Sequence, residues 1–301
     1  MKQFKYLTLV VVIIILNSCS IYHSTKSKYT DIDYQAHRGG RGLMPENTIQ
    51  AMLSVMDNPS IKTLEMDLAI TKDKKVVVSH DPILNPLITL DSNGLPLSNL
   101  ATQQHIIYQM NYDSLAKFDV GLKMHPGFTQ QKKLAAIIPR FTDLIDSVEN
   151  KSRRIEKKFN YNIEIKSVEG RDLIEHPIPE EFAELVVQIV NDKNISARTT
   201  IQSFDLRPLK VLHEKYPTIP LSYLVYGPSC ANVPYTIEKL GFYPAIYSPE
   251  YKYITKEMID FCHKHQMKII PWTINTKEEI NHLIALGVDG IISDYPNLYN
   301  N

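Results

Sequence analysis

Short apolar runs recur along the chain and alternate with stretches whose apolar residues return at helical spacing. Nine of the short runs predict β-strands, at residues 34–37, 63–70, 76–79, 162–165, 199–203, 221–225, 245–248, 268–272 and 290–293. Helical patterns fill several intervals, at residues 48–56 after an Asn47 cap, 180–190, 255–265, and 276–286 before Gly287. This alternation predicts an α/β protein built from repeated βα units.

The second and third strand signals are separated only by residues 71–75, which are too few for a helical crossover but suit a hairpin. Counting that hairpin once leaves eight barrel strands, which favours a TIM-type (β/α)8 barrel over an open doubly wound sheet. Residues 82–139 interrupt the alternation of strand and helix patterns and contain scattered Pro, Asn, Gln and Gly. We interpret them as a small insertion after the second barrel strand that caps the mouth.

The N-terminus carries a targeting pattern. Lys2 and Lys5 precede an apolar run at residues 7–16, which is typical of a secretory signal and about half as long as a bilayer-spanning helix. The following Cys19 completes a sequence that resembles the lipobox of bacterial lipoproteins. We predict a signal peptide (1–18), a lipid-anchored tether (19–33) and a barrel domain (34–301). An uncleaved membrane anchor is the alternative.

Charge, cysteine content and the N-terminal pattern indicate which binding partners and which cellular compartment to expect. The 33 basic and 33 acidic residues cancel, so no broad field is available to hold nucleic acid, and neither nucleic acid nor a protein partner is expected. An exported, membrane-anchored protein is predicted, and the lack of an acidic cluster after Cys19 favours the periplasmic side. Cys230 and Cys262 are interpreted as buried free thiols rather than as a disulfide.

Polar residues collect where the predicted strands end, which is where TIM barrels place their active sites. Glu65 and Asp67 are two residues apart on one strand, so both point to the same face. The other strand ends carry His37-Arg38-Gly39, His80-Asp81, Glu164-Ile165-Lys166, Gln202-Ser203-Phe204, Trp272-Thr273-Ile274-Asn275 and Ser293-Asp294.

Three of these groups are carboxylates expected to point inward, namely Glu65, Asp67 and Glu164. They would repel one another in a dry cavity unless a cation compensates them. Oxygen-only ligation suits one divalent ion, Ca²⁺ or Mg²⁺, whereas zinc would recruit histidine or cysteine. Ion pairs with Arg38 and Lys166 are the alternative use of these acids.

Two histidines on opposite sides of a phosphate supply one acid and one base near neutral pH, and His37 and His80 are the candidates. His263 and His265, at a predicted helix end, are interpreted as surface residues or satisfied core residues. Residues 39–42 look like a phosphate loop but lack the spacing of a dinucleotide-binding fingerprint.

Taken in order, these motifs resemble the glycerophosphodiester phosphodiesterase family over nearly all of the chain from Tyr34 onward. Besides the strand ends above, the resemblance rests on Pro45-Glu46-Asn47-Thr48 and on Asp289-Gly290-Ile291-Ile292-Ser293-Asp294-Tyr295-Pro296. It implies metal-dependent hydrolysis of glycerophosphodiesters to glycerol 3-phosphate and an alcohol, in which a glycerol hydroxyl attacks phosphorus and water then opens a cyclic phosphate.

The resemblance also implies roles. His37 and His80 would be the general acid and base, in an order that the sequence does not assign. Glu65, Asp67 and Glu164 would hold the metal. Arg38 and Lys166 would bind the phosphate, and Trp272 would form the wall of the site beside the glycerol. The residues that would support the site are Glu46, Asn47, Asp81 and Gln202.

Two other functions stay open at this stage. One is a non-catalytic lipoprotein that binds glycerophosphodiesters, because a fold does not guarantee activity. The other is a phospholipase-type phosphodiesterase on the same fold, which the membrane anchor would suit.

Overall fold

The computed structural model describes residues 32–98 and 105–299. The predicted signal peptide, Cys19 and the predicted tether up to residue 31 lie outside the described residues, as do residues 99–104 of the predicted insertion. Within the described part of the chain, no helix combines the length and the apolar character needed to cross a membrane.

The strands form one closed sheet. Their bounds are β1 (Asp33–Ala36), β2 (Ile61–Ile70), β3 (Val76–Val78), β4 (Asn160–Ile165), β5 (Thr199–Ser203), β6 (Leu221–Val225), β7 (Ile246–Pro249), β8 (Lys268–Ile269) and β9 (Gly290–Ser293). All but β3 are parallel to their neighbours, in the order β8-β7-β6-β5-β4-β2-β1-β9. Backbone N–H groups of Asp289 and Ile292 donate to the carbonyls of Ile269 (2.9 Å) and Pro271 (3.1 Å) and join the two ends. The predicted TIM-type barrel is confirmed.

The helices lie between the strands, as the sequence pattern predicts. They are α1 (Ile49–Val55), α2 (Tyr112–Leu115), α3 (Phe141–Arg154), α4 (Pro179–Asp192), α5 (Leu206–Lys215), α6 (Val233–Leu240), α7 (Lys256–Lys264) and α8 (Lys277–Leu286). Gly287 ends α8 in the left-handed conformation, as predicted. The predicted Asn47 cap of α1 is wrong: the hydroxyl of Thr48 accepts from the Ala51 N–H instead, because the Asn47 side chain is bonded to Asp67.

The main core lies between the outer face of the barrel and the helices. Leu64, Met66 and Leu68 alternate along β2 with the inward-pointing acids and are fully buried in this core. Each such side chain contributes about 1.5–3 kcal/mol to folding when it leaves water. Cys230 and Cys262 are buried and unpaired, as the sequence predicted.

A hairpin brings His80 to the mouth of the barrel. β2 has ten residues, and β3 turns back along it so that Val78 lies opposite Leu68. The N–H of Ser79 then donates to the Asp67 carbonyl (2.9 Å). Because the chain has returned to the level of Asp67, the next residue, His80, reaches the site.

The predicted insertion has a small core of its own. Its apolar side chains pack with two residues of the hairpin, and the cluster comprises Ala69, Val77, Leu84, Ile107, Leu115, Val120, Ala136 and Ile138. The insertion also contacts the loop after β1, because the Lys132 N–H donates to the Leu43 carbonyl (2.9 Å) and Gln131 Nε2 donates to the Arg41 carbonyl (2.7 Å). It therefore borders the mouth, and its function as a cap stays a prediction.

Candidate active site

A cavity of about 290 Å³ opens at the carboxyl ends of the strands. Seven of the predicted site residues line it, namely His37, Arg38, Glu65, His80, Glu164, Gln202 and Trp272. These residues are distant in sequence but meet at the cavity, because the parallel strands that carry them all end at the same edge of the barrel.

The three predicted metal ligands form one buried cluster. Asp67 on β2 lies opposite Glu164 on β4 in the sheet register, and Glu65 is two residues before Asp67 on the same face. One carboxylate oxygen from each residue lies within 4.8 Å of the other two. The structure thus brings together the carboxylates that the sequence predicted.

The two acids on β2 have different partners. Glu65 accepts from Gln202 Nε2 (2.9 Å) and from the Arg38 backbone N–H (2.8 Å), both neutral donors. Burial and the nearby Asp67 charge raise the pKa of Glu65 well above its ordinary value. Asp67 Oδ2 accepts from Asn47 Nδ2 (2.8 Å) and lies 3.2 Å from Arg38 Nε. Among the described residues, Asp67 Oδ1 has no hydrogen-bond donor.

Glu164 and Lys166 form a direct ion pair of 2.8 Å, and Lys166 Nζ lies 4.0 Å from Asp67 Oδ1. Burial raises the pKa of Glu164, although Lys166 acts in the opposite direction. The alternative use of these acids, ion pairing with Arg38 and Lys166, is therefore present together with the cluster. The two uses are compatible only if the cations do not neutralise the acids completely.

With every acid ionised, a count of charges gives incomplete neutralisation. The described residues around the cavity supply six carboxylates and three permanent cations: Glu46, Glu65, Asp67, Asp81, Glu164 and Asp294 against Arg38, Arg41 and Lys166. A phosphodiester would add another negative charge. The excess, the oxygen-only donor set and the free Oδ1 of Asp67 fit a hard divalent cation such as Ca²⁺ or Mg²⁺.

His37 is held in one tautomer. Its Nδ1 lies 2.6 Å from Asp294 Oδ1, and since a carboxylate only accepts, Nδ1 carries the proton and Nε2 is left free, 4.0 Å from Glu65. Burial lowers the pKa of His37 to about 4, even though Asp294 favours the charged ring. Asp294 is itself held by Arg41 Nε (2.7 Å) and Asn275 Nδ2 (2.8 Å).

His80 is held in the same manner by a different element. Its Nδ1 lies 2.8 Å from Asp81 Oδ1, and Asn85 Nδ2 donates to the other oxygen of Asp81 (2.9 Å). Burial alone would raise the pKa of Asp67, but Arg38, His80, Lys166 and His37 together lower it. His80 lines the same cavity as His37, Glu65 and Glu164.

The loop after β1 is shaped by packing. Arg38 has a left-handed backbone (φ 52°), and its Nη1 donates to Glu46 Oε1 (2.9 Å) while its carbonyl accepts from the Asn47 N–H (3.0 Å). A Cβ on Gly39 would lie only 2.9 Å from the Met52 nitrogen. The glycine therefore allows close packing against α1.

Aromatic rings form another part of the cavity wall. Trp272 is oriented by a hydrogen bond from Nε1 to the Ser248 carbonyl (2.9 Å) and meets Phe204 edge to face at 5.3 Å. Phe204 in turn meets Tyr226 at 5.8 Å, and Tyr226 is 67% exposed.

The sequence interpretation gave no role to Asp294, Asn275 or Arg41, which together orient His37. A signal was available, because Asp294 directly follows the last barrel strand. In a closed barrel that strand pairs with β1, and Ser293 lies opposite Ala36, the residue before His37.

Residues 37–298 match the glycerophosphoryl diester phosphodiesterase family. The chain belongs to this family. The predicted resemblance and enzyme class, a glycerophosphodiester phosphodiesterase, are confirmed.

Individual proteins similar to this chain include enzymes of the same family. A glycerophosphodiester phosphodiesterase from Caldanaerobacter subterraneus subsp. tengcongensis is 28% identical over 261 residues, covering 87% of this chain and 93% of that protein. The human lysophospholipase D GDPD1 is 24% identical, covering 96% of this chain and 91% of its own. The solved structure of an Oleispira antarctica phosphodiesterase, OLEI02445, in complex with the product sn-glycerol-3-phosphate, superimposes with a TM-score of 0.67 at 22% identity over 89% of this chain and 96% of that one. This last likeness supports the barrel fold.

Proposed function

We propose that this member of the family hydrolyses glycerophosphodiesters to glycerol 3-phosphate and an alcohol, with one divalent ion and two histidines. One observation carries the proposal. His37 and His80 each have Nδ1 tied to a carboxylate, and both line the cavity that Glu65 and Glu164 also line.

Glu65, Asp67 and Glu164 would hold the ion. When bound, Ca²⁺ or Mg²⁺ polarises a phosphoryl oxygen and offsets the negative charge that builds up during the reaction. Arg38 and Lys166 would contribute positive charge on the same side, since both lie against the acidic cluster. Trp272 would form the wall beside the glycerol carbons, and Glu46 and Asn47 would hold the loop that carries His37 and Arg38.

The histidines would move the protons through their free Nε2 atoms. One accepts the proton of the attacking glycerol hydroxyl, and the other gives a proton to the oxygen of the departing alcohol. Their roles then reverse as water opens the cyclic phosphate. Asp294 and Asp81 are positioning residues, because they keep the proton on Nδ1 of His37 and His80.

The test is hydrolysis of glycerophosphocholine by the purified chain, measured as glycerol 3-phosphate, before and after chelation and return of Ca²⁺ or Mg²⁺. His37→Ala and His80→Ala are each expected to lower turnover by about 10² to 10⁴-fold. His263→Ala is the matched control, because that histidine also pairs with a carboxylate, Asp289 (2.8 Å), but outside the cavity. Near-normal activity of either test variant would reject the assignment. Binding of substrate without product would favour the non-catalytic lipoprotein.

We also propose that the protein is exported and anchored in a membrane through a lipid on Cys19, facing the periplasm. The support is the apolar run at residues 7–16, which follows Lys2 and Lys5 and precedes Cys19 by two residues, and the lack of an acidic cluster after that cysteine.

A second substrate class within the same chemistry is glycerophosphodiesters whose glycerol keeps one acyl chain. It is favoured by the relative named lysophospholipase D and by the aromatic wall of the cavity.

A further inference from the structure

Buried amide side chains connect the two ends of the barrel. Gln35 on β1, Asn162 on β4 and Gln202 on β5 are only 1–2% exposed and are bonded to one another. The row ends at a carboxylate on each side, at Glu65 in the catalytic cavity and at Asp33 in a second cavity of about 450 Å³. Because Asp33 begins β1, the second cavity lies at the amino ends of the strands. We call these three amides the amide chain.

The direction of the amide chain is set at its Asp33 end. Asp33 Oδ1 accepts from Thr63 Oγ1 (2.6 Å), and Oδ2 accepts from Gln35 Nε2 (2.8 Å). Burial raises the pKa of Asp33, and these two hydrogen bonds act against that rise. Because an ionised carboxylate can only accept, Gln35 turns its Nε2 toward Asp33 and its Oε1 toward Asn162.

Asn162 carries this direction on toward the catalytic cavity. Its Nδ2 donates to Gln35 Oε1 (2.8 Å) and to Gln202 Oε1 (3.0 Å), which uses both of its protons. Among the described residues, the buried Oδ1 of Asn162 has no hydrogen-bond partner. A reversed amide would instead place Oδ1 against two other oxygens. The double donation therefore decides how Asn162 is oriented, at the cost of one unsatisfied acceptor.

The orientation of Gln202 follows from that of Asn162. Since its Oε1 faces Asn162, its Nε2 faces Glu65 and donates to Oε1 of that carboxylate (2.9 Å). The other oxygen of Glu65 accepts from the Arg38 backbone N–H (2.8 Å). Two uncharged donors thus fix the place of Glu65 and leave its negative charge available to a cation. With Gln202 reversed, two oxygens would face each other and Glu65 would have to turn away from the acidic cluster.

We propose that Asn162, together with Gln35 and Asp33, positions Glu65 for the ion from inside the barrel, through the direction of the amide chain. These three residues would act through Gln202, so they are positioning residues and not ligands. The inference rests on the proposed function, because it concerns the ion that Glu65 would hold there. It makes the affinity for that ion depend on side chains at the far end of the barrel.

The experiment measures the dissociation constants of Ca²⁺ and of Mg²⁺ by isothermal titration calorimetry with the purified protein. Asn162→Leu removes the central donor and should weaken binding by about 10- to 100-fold, as loss of a residue that orients a metal ligand does. Gln35→Met leaves Gln202 and Glu65 in place but removes one of the two acceptors that orient Asn162. We expect it to weaken binding by about tenfold.

Two variants serve as controls. In Gln35→Glu, one proton shared with Asp33 replaces the amide N–H, and a carboxyl oxygen still accepts from Asn162, so binding should be close to that of the wild type. Thr236→Val removes a buried hydroxyl of α6 that donates to the Val233 carbonyl (2.9 Å). It should lower the free energy of unfolding in urea without changing either dissociation constant.

The outcomes separate this inference from the proposed function. Unchanged affinity in Asn162→Leu or Gln35→Met, with a wild type that binds either ion, would overturn the role of the amide chain. So would Gln35→Glu binding as weakly as Gln35→Met, or an equal weakening in Thr236→Val, which would assign the effect to general destabilisation. If Asn162→Leu does not fold, the two substitutions at Gln35 decide. A wild type that binds neither ion would instead reject the metal dependence in the proposed function.

Discussion

Replacing Asp294 by asparagine tests how His37 is held. Asp294 Oδ1 accepts from His37 Nδ1 and Arg41 Nε, and Oδ2 accepts from Asn275 Nδ2 (2.8 Å). Arg41 also donates a longer bond from Nη2 to Oδ2 (3.5 Å). The amide oxygen of the new side chain is favoured at the Oδ1 position, because the two shortest donors, Arg41 Nε (2.7 Å) and His37 Nδ1 (2.6 Å), both point there. The amide nitrogen then faces Asn275, which cannot turn because its Oδ1 accepts from the backbone N–H of residue 294 (3.0 Å) and from Ser293 (3.2 Å).

The size of the effect follows from this geometry. His37 keeps its tautomer but exchanges a charge-assisted hydrogen bond, worth about 1.5–3 kcal/mol, for a neutral one of about 1 kcal/mol. We therefore expect kcat/KM to fall by roughly tenfold in Asp294→Asn. Asp294→Ala removes the acceptor altogether, frees the tautomer and should cost about 10² to 10⁴-fold, close to the loss of His37 itself.

Steady-state hydrolysis of glycerophosphocholine measures both variants. Folding is checked by urea unfolding, in which the two facing amide nitrogens of Asp294→Asn should cost about 1–3 kcal/mol. Nitrogen-15 NMR of the His37 ring gives an independent readout, since it reports which nitrogen carries the proton. If the asparagine variant loses as much activity as the alanine variant, or if its ring changes tautomer, the assigned hydrogen-bond directions are wrong.

Three further predictions concern the ion, the insertion and the anchor. Wild-type protein should gain about 2.7 kcal/mol in unfolding free energy when Ca²⁺ or Mg²⁺ reaches a hundred times its Kd, and Glu65→Gln should lose most of that gain; an equal gain in both would place the ion elsewhere. Gly121→Ala should lower the free energy of unfolding by about 1–3 kcal/mol, because its Cβ would lie 2.1 Å from the Leu134 carbonyl oxygen; an unchanged urea midpoint would contradict this. Cys19→Ala should move the protein from the membrane fraction to the soluble fraction, and persistent membrane association would argue against lipidation.

The sequence predicted the barrel well because the relevant signals are local. The runs that became β2, β5, β6 and β9 are bounded by turns and agree closely with the observed strands. The two-residue spacing of Glu65 and Asp67 also decides their common face without tertiary information.

What escaped prediction depends on contacts between distant residues. The pairing of Asp294 with His37 joins positions 257 residues apart and exists only because β9 closes onto β1. The Asn47 cap was wrong for a similar reason: the amide is used by Asp67, twenty residues further along, so Thr48 caps the helix. The core of the insertion lacks a regular period, since it combines short turns with Ala69 and Val77 of the hairpin, which lie on the same face of the strands as Glu65 and Asp67.

The charge around the active site differs from the charge of the chain as a whole. The chain as a whole has equal numbers of acidic and basic residues, yet the described ion-pair network around the cavity contains six acidic side chains and three permanent cations. Arg38 and Lys166 contact the same acids that would hold the ion, so they reduce the repulsion without removing the demand for a cation. Full neutralisation would leave no driving force for a divalent ion, and no compensation at all would destabilise the barrel. The observed partial pairing therefore fits both a stable fold and a cluster that could hold a metal ion.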